Sequence, residues 1–150
     1  MVGAIEFSRQ VGALPIRRGV DGTLNVLLVT TLQTQRWIIP KGWPLPDRQD
    51  WAAAAVEARE EAGVLGRARQ GSIGSYTYEK RRPTGPVPVR VSVYVLEVQE
   101  ELDTWPECAR RRRAWFTLEE AAEAVREPEL RALLLRIKAA SERLVGGQRA

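Results

Sequence analysis

Apolar residues along the chain fall into runs of two periods, and the runs locate the elements. Val11-Gly12-Ala13-Leu14-Pro15-Ile16 is a nearly unbroken apolar stretch that stops at Arg17-Arg18, and Asn25-Val26-Leu27-Leu28-Val29-Thr30 is a second one. Gly19-Val20-Asp21-Gly22 between them has turn composition, so the two predict a hairpin. Residues 1–9 show no strong period, which predicts a loose lead-in or an edge strand around Ile5 and Phe7. After a polar turn, Trp37-Ile38-Ile39 predicts a short strand running into the loop Pro40-Lys41-Gly42-Trp43-Pro44. Ala52 to Ala55, behind Trp51, carry high helix propensity and a small profile that allows close approach to a sheet. A helix over about 48–62 is expected, capped by Asp47 with Asp50 at N3 and ended by Gly63 at C′.

The second half opens with two strands, about 69–78 and 87–98, around Lys80-Arg81-Arg82-Pro83-Thr84-Gly85-Pro86. Val89, Val91, Val93 and Val95 recur with period two while Tyr94, Leu96 and Val98 fill the opposite face, which predicts a central strand covered on both sides. Pro86 and Pro88 should confine ladder pairing to the residues beyond them. Arg110 to Arg113 run into Ala114-Trp115-Phe116, and Thr117-Leu118-Glu119-Glu120 is a capping box opening a helix to about residue 126. Pro128 then starts a final helix with the stripe Leu130, Leu133, Leu134, Ile137 and Leu144, and residues 146–150 are expected to fray. Strands grouped around one early helix, with helices at the end, predict a single α+β domain over residues 1–150.

Composition narrows the chemistry. The 150 residues suit one domain with a real core, no apolar run reaches the ~18 residues of a membrane span, and no signal-peptide core opens the chain, so a cytoplasmic location is expected. Cys108 is the only cysteine and histidine is absent, which excludes an intrachain disulfide, a Ser-His-Asp or Cys-His mechanism and a His-ligated zinc. Acids, lysines and tyrosines remain for proton transfer. The net charge of +4 points to an anionic partner. Apart from Lys41, Lys80 and Lys138 the base is arginine, whose guanidinium grips phosphate oxygens bidentately.

Three carboxylates carry the strongest signal. Glu57, Glu60 and Glu61 stand at i, i+3 and i+4, on one side of a helix and in the turn where its macrodipole is negative. Each should cost roughly 0.3–1 kcal/mol there, so a compensating positive charge is expected. A hard divalent cation such as Mg²⁺ or Mn²⁺ suits oxygen ligands. The plain alternative is the wet face of a surface helix.

In its context the cluster resembles the Nudix box, G-x5-E-x7-R-E-U-x-E-E-x-G-U, with U a bulky aliphatic. Aligning the first glycine to Gly42 puts Glu57, Glu60, Glu61, Gly63 and Val64 in register, with Ala58 at the first aliphatic position. Two positions depart: Arg48 replaces the first glutamate and Val56 the arginine, with Asp47 or Asp50, and Arg59, as the nearby substitutes. The resemblance implies an α/β/α sandwich with a mixed sheet between helices. It implies hydrolysis of a phosphoanhydride by an enzyme that binds Mg²⁺ or Mn²⁺, with Glu57 and Glu61 as ligands, Glu60 as ligand or general base, and the Gly42 carbonyl completing the shell.

Beyond the box, Gln35-Arg36-Trp37, residues 89–96, Asp103-Thr104-Trp105 and residues 111–116 resemble the Nudix branch that includes diphosphoinositol polyphosphate phosphohydrolases and diadenosine polyphosphate hydrolases. That match nominates Arg17, Arg36, Lys41, Arg90, Arg111 and Arg113 as phosphate contacts on a polyphosphorylated small molecule. Lys80-Arg81-Arg82 reads as a solvated hairpin tip, and the five tryptophans as core and rim packing. A ligand-binding module without turnover is the alternative function. Nucleic acid is the lowest-ranked partner, and monomer and homodimer stay open.

Overall fold

The computed structural model describes the backbone of residues 6–148 and the side chains of residues 6–142. Eight strands and three helices follow in the order β1 (Ser8–Arg18), β2 (Leu24–Thr30), β3 (Trp37–Ile38), β4 (Lys41–Gly42), α1 (Asp50–Glu57), β5 (Val64–Ala68), β6 (Gly74–Lys80), β7 (Val87–Glu101), β8 (Arg113–Thr117), α2 (Leu118–Ala124) and α3 (Pro128–Gln148), with a π-helical turn, Ala58–Ala62, continuing α1. The predicted edge residue Ile5 and the side chain of Leu144 lie outside the described residues. The backbone of α3 continues to Gln148, through the glycines expected to fray.

The sheet is mixed. β1 and β7 run parallel from Ser8↔Val89 to Ile16↔Glu97, and every other ladder is antiparallel. β7 is central as expected, with β1 on one side and β6 followed by β5 on the other. Two expectations need correction here. The strand expected over 69–78 begins only at Gly74 and runs to Lys80, and a separate strand, β5, precedes that stretch at Val64–Ala68; the 15-residue β7 is long enough to pair with both in succession. The β6 ladder also includes Pro88 and Val87, opposite Glu79 and Lys80. β1 joins β7 only from Val89 onward, so the missing N–H of Pro88 lies outside the β1 ladder.

Alternation assigns the two faces. Val26 and Leu28 of β2, Leu14 of β1 and Val89, Val91 and Val93 of β7 bury against α2 and α3 through Ala121, Leu130 and Leu134. Leu27, Val29, Val11, Ala13 and Leu96 point the other way and meet Ala53, Ala54, Ala58 and Ala62. The fold is therefore an α+β sandwich with α1 on one face and α2 and α3 on the other. Thr117 and Glu120 form both bonds of the predicted capping box, at 3.1 and 2.9 Å, and Pro128 opens α3.

The start of α1 differs from expectation. Gln49 is the N-cap and makes no side-chain cap bond, because the chain turns once more at Leu45–Arg48 and the Asp50 carboxylate is taken by Arg9 of β1. Neither Asp47 nor Asp50 caps the helix. What positions the site is a split in the sheet: β1 pairs with β2 only at Ile16–Arg18, and with β4 at Val11 and Gly12. Ile39-Pro40 pass between the two ladders, and Ala13 N–H donates to the Pro40 carbonyl at 2.9 Å. Gly12 permits this, since a Cβ there would stand 2.9 Å from both Ile39 Cδ1 and Val91 Cγ1.

Candidate active site

The box loop and the end of α1 meet above that split. The widened turn at Ala58–Ala62 stops at Gly63, which adopts φ 65° and donates to the Arg59 carbonyl at 3.1 Å, the left-handed ending expected at C′. On this turn the three carboxylates are not equivalent. Glu61 is 7% exposed, whereas Glu57 and Glu60 are half-buried. Its Oε1 accepts the Lys41 N–H at 3.0 Å and its Oε2 accepts Arg111 Nη2 at 3.3 Å. Glu57 lies directly against Gly42, where any Cβ would overlap its carboxylate. Glycine at this box position is thus a packing requirement.

The positive compensation expected for the helix end comes in part from the protein. Arg113 donates to the carbonyls of Ala62 at 2.9 Å, Gly63 at 3.2 Å and Leu102 at 2.7 Å, and lies 4.0 Å from the Trp105 ring. It caps the negative end of the macrodipole. Arg111, with a side chain 10% exposed, bonds Glu107 at 2.8 Å and the Thr30 carbonyl at 2.9 Å besides Glu61. It clamps two acids in place.

Glu107 is the residue that sequence reasoning missed. Its backbone N–H donates to the Glu60 carbonyl at 3.2 Å, and Trp105 Nε1 donates to the Glu61 carbonyl at 3.0 Å, so the 102–112 segment docks on the end of the helix. A lone acid in an irregular stretch carries no motif. Its spacing of four from Arg111 was the one available signal.

Charge remains uncompensated all the same. Burial pushes the Glu61 carboxyl up to about 7, against the pull of Arg111 and the Lys41 N–H, and Glu57 adds repulsion. Burial also raises Glu57, reinforced by Glu107 and Glu60. Lys41 is lowered by its own burial, partly offset by Glu61. Among the described residues no three acidic side chains converge on one coordination point. Mg²⁺ retains several waters and needs only one or two direct carboxylates, so these hard oxygen donors with unbalanced charge fit a hydrated divalent ion. Glu57, Glu60 and Glu61 with the Gly42 carbonyl would hold it, and Glu107 adds a fourth acid.

A cavity of about 350 Å³ opens beside Glu61 and is lined by Lys41, Arg111, Arg36 and Tyr78 with the 31–34 turn. Lys41 Nζ stands 4.4 Å over the Tyr78 ring. A second cavity of about 650 Å³ shares Arg36, Tyr78, Glu79 and Arg81 with the first and adds Arg82 and Arg126. Arg36 is held in place by Glu127 at 2.8 Å.

Of the nominated cations, Lys41, Arg36 and Arg111 reach this region, and three do not. Arg17 pairs with Glu101 at 2.8 Å and lies 4.0 Å over Trp115, six residues or roughly 20 Å along β1 from Val11, which pairs with Gly42. Arg90 lies 4.4 Å over Phe7, Arg113 donates Nη1 and Nη2 to backbone carbonyls, and neither residue lines either cavity. As for the departures from the box, Arg48 and Arg59 are exposed, Asp47 is exposed, and Asp50 is committed to Arg9.

Residues 6–136 match the NUDIX domain model. The chain is 35% identical to Nudix hydrolase 16, mitochondrial, of Arabidopsis thaliana over 133 residues, covering 83% of this chain and 72% of the relative. It is 36% identical to diphosphoinositol polyphosphate phosphohydrolase 2 of Rattus norvegicus over 100 residues, covering 65% of this chain and 52% of the relative. The chain thus spans between about half and three-quarters of the length of these relatives. Among solved structures, the C. elegans Ap4A hydrolase binary complex superposes with a TM-score of 0.66 at 22% identity, covering 93% of this chain and 98% of that one. A NUDIX hydrolase from Nitrosomonas europaea gives 0.67 at 17% identity, covering 91% of each. Several plant relatives are named as mitochondrial, so kinship lends no support to the cytoplasmic expectation. No helix among the described residues is long and apolar enough to cross a membrane.

Proposed function

This chain belongs to the NUDIX family, and we propose that it hydrolyses the phosphoanhydride bond of a diphosphate in a phosphorylated small molecule with Mg²⁺ or Mn²⁺ bound. The candidate substrates are nucleoside diphosphate derivatives, dinucleoside polyphosphates and inositol-pyrophosphate-like molecules, the last two in keeping with the names of the rat and nematode relatives. The observation that carries the reading is an unbalanced pair of carboxylates, Glu57 half-buried against Gly42 and Glu61 buried at the wall of a cavity that Lys41 and Arg36 also line.

When bound, the cation would neutralise the diphosphate and make its bound water more acidic. Glu57, Glu61 and the Gly42 carbonyl would hold it, and Glu60 would accept the proton of the attacking water, with Glu57 the alternative base. The water oxygen forms the new P–O bond as the bridging P–O bond breaks, and the electron pair leaves with the departing phosphate. Lys41 and Arg36 orient the phosphates and offset the charge that develops on the leaving group. Arg111 touches Glu61 and Glu107 and acts through them as a positioning residue.

Phosphate or nucleotide release should be measured across the candidate substrates with Mg²⁺ or Mn²⁺, alongside Glu57→Gln, Glu60→Gln and Glu61→Gln. One substrate class should turn over, and each variant should lose most of that rate while staying folded. Full activity in all three variants would overturn the assignment. A second reading, a phosphorylated-ligand-binding module, is favoured by one feature: both Glu61 oxygens already have partners. Binding without product across the whole panel would select it.

A further inference from the structure

A helix leaves its last carbonyls without partners of its own, and here they lie in the turn that carries the acids. Gly63 N–H is the last donor within the helix and reaches back to the Ala58 and Arg59 carbonyls. The carbonyls of Glu60, Glu61, Ala62 and Gly63 are left over. Each is taken by the segment that joins β7 to β8. Glu107 N–H donates to Glu60 at 3.2 Å, Trp105 Nε1 to Glu61 at 3.0 Å, Arg113 Nη1 to Ala62 at 2.9 Å and Leu102 N–H to Gly63 at 2.8 Å. The helix end is capped entirely from outside the helix.

The capping segment is itself tied to the sheet at both ends. Leu102 follows β7 directly, and at the other end Arg112 N–H donates to Thr30 Oγ1 at 2.9 Å while Thr30 N–H donates to the Arg112 carbonyl at 3.0 Å. Between these anchors Trp105 packs on the turn as well as bonding it. A Cβ on Gly63 would stand 2.6 Å from Trp105 Cδ2, and Arg113 lies 4.0 Å from the same ring. Trp105, which reads as packing in the sequence, is therefore also a donor. Arg111 and Glu107, the ion pair that engages Glu61, stand on the same segment.

We propose that the 102–113 segment, rather than the helix, sets where Glu60 and Glu61 stand, and that Trp105 is the positioning residue for Glu61. This deepens the hydrolase reading of the same site and rests on it for the cation. Of these donors, only the indole N–H can be removed while charge and backbone stay as they are, because Trp105→Phe keeps an aromatic ring against Gly63. The effect on a bound ion depends on which ion it is. Mg²⁺ demands near-ideal octahedral geometry, whereas Ca²⁺ accepts a larger and more flexible set of oxygens. A displaced Glu61 therefore weakens Mg²⁺ more than Ca²⁺, and a general loss of the site weakens both alike.

Mg²⁺ and Ca²⁺ affinities are measured by calorimetry, and amide hydrogen exchange of the metal-free protein by mass spectrometry, for the wild type, Trp105→Phe and Thr117→Ala. Thr117→Ala removes a cap on the opposite face and controls for lost stability alone. Trp105→Phe should weaken Mg²⁺ roughly threefold to tenfold, the loss expected for one hydrogen bond, and Ca²⁺ by less. It should also speed exchange over residues 58–63 more than over α3. Thr117→Ala should leave the Mg²⁺ affinity at its wild-type value. Equal weakening of both ions in Trp105→Phe, unchanged Mg²⁺ affinity in that variant, or an equal Mg²⁺ loss in Thr117→Ala would each overturn the proposal. Exchange needs no ion, so a wild type that binds neither cation would sink the hydrolase reading alone, with exchange over 58–63 still deciding this one. Wild-type exchange over 58–63 in Trp105→Phe, with turnover still lost in Glu57→Gln, would sink this proposal alone.

Discussion

The two faces of the sheet are built to different ends. On one, α2 and α3 bury leucines and valines, Thr117 and Glu120 cap reciprocally, and α3 begins at proline. On the other, α1 lies on alanines, has no side-chain cap, widens into a π-helical turn and presses Glu61 and Glu57 out of water. The first face follows the local rules by which helices begin. The second breaks several within fifteen residues, and the breaches coincide with the carboxylates. A small-residue interface lets α1 approach closely enough for its end to reach Gly42, and the cost falls on the charged groups brought there.

The contrast can be broken most forcefully at Glu57. Glu57→Gln should lower turnover roughly 10²- to 10⁴-fold. The same change should leave the metal-free protein as stable as the wild type or more so, because it removes a charge that burial disfavours. A melting temperature several degrees lower in thermal denaturation would show that this carboxylate supports the fold instead. The mirror experiment is Leu134→Ala on the other face. Leu134 is wholly buried, so the change should cost about 2–5 kcal/mol in chemical denaturation, with kcat/KM per folded molecule close to wild type.

A subtler effect concerns pH. The folded-state pKa of Glu61 lies near 7 against an ordinary 4.5. The native state therefore holds this proton more tightly than the unfolded chain. For such a raised acid, the metal-free protein should lose stability as pH rises from about 4.5 to about 7 and show no further loss from this group above that. Denaturant titrations at successive pH values should show that slope, and Glu61→Gln should flatten it. A slope identical in the variant would assign the effect elsewhere. The smallest change sharpens the comparison from the well-capped side: Thr117→Ala should cost about 1 kcal/mol in the same titrations without altering turnover.

How much of this was legible beforehand varies with the range of the interaction. The hairpin of β1 and β2, the central β7, the left-handed stop at Gly63 and the Thr117 capping box each follow from neighbours a few residues apart, and each is present. The carboxylates Glu57, Glu60 and Glu61 were readable for the same reason, since they occupy two turns of one helix. The N-cap at Asp47 failed because Asp50 found a stronger partner 41 residues away in Arg9. The strand expected over 69–78 starts at Gly74 instead, and β5 at Val64–Ala68 went unread, because β7 is long enough to pair with two strands in succession, which no pattern within that segment reveals.

The cations show the limit most sharply. The resemblance made Arg17, Arg90, Arg111 and Arg113 equal candidates for phosphate. Which arginine is free depends on the carboxylate, carbonyl or ring it meets across the fold, and the hydrogen-bond partners alone lie 11 to 84 residues away for Arg17 and Arg113. Glu107 entered the site, and Trp105 came to cap the Glu61 carbonyl, through packing of that same kind. The chain by itself therefore determined the elements, the family and the acid cluster, because local periodicity and spacing are written residue by residue. Only the tertiary structure decided which charges are satisfied and which remain for a ligand, because a salt bridge or a buried carboxylate depends on distances in space that sequence separation does not measure.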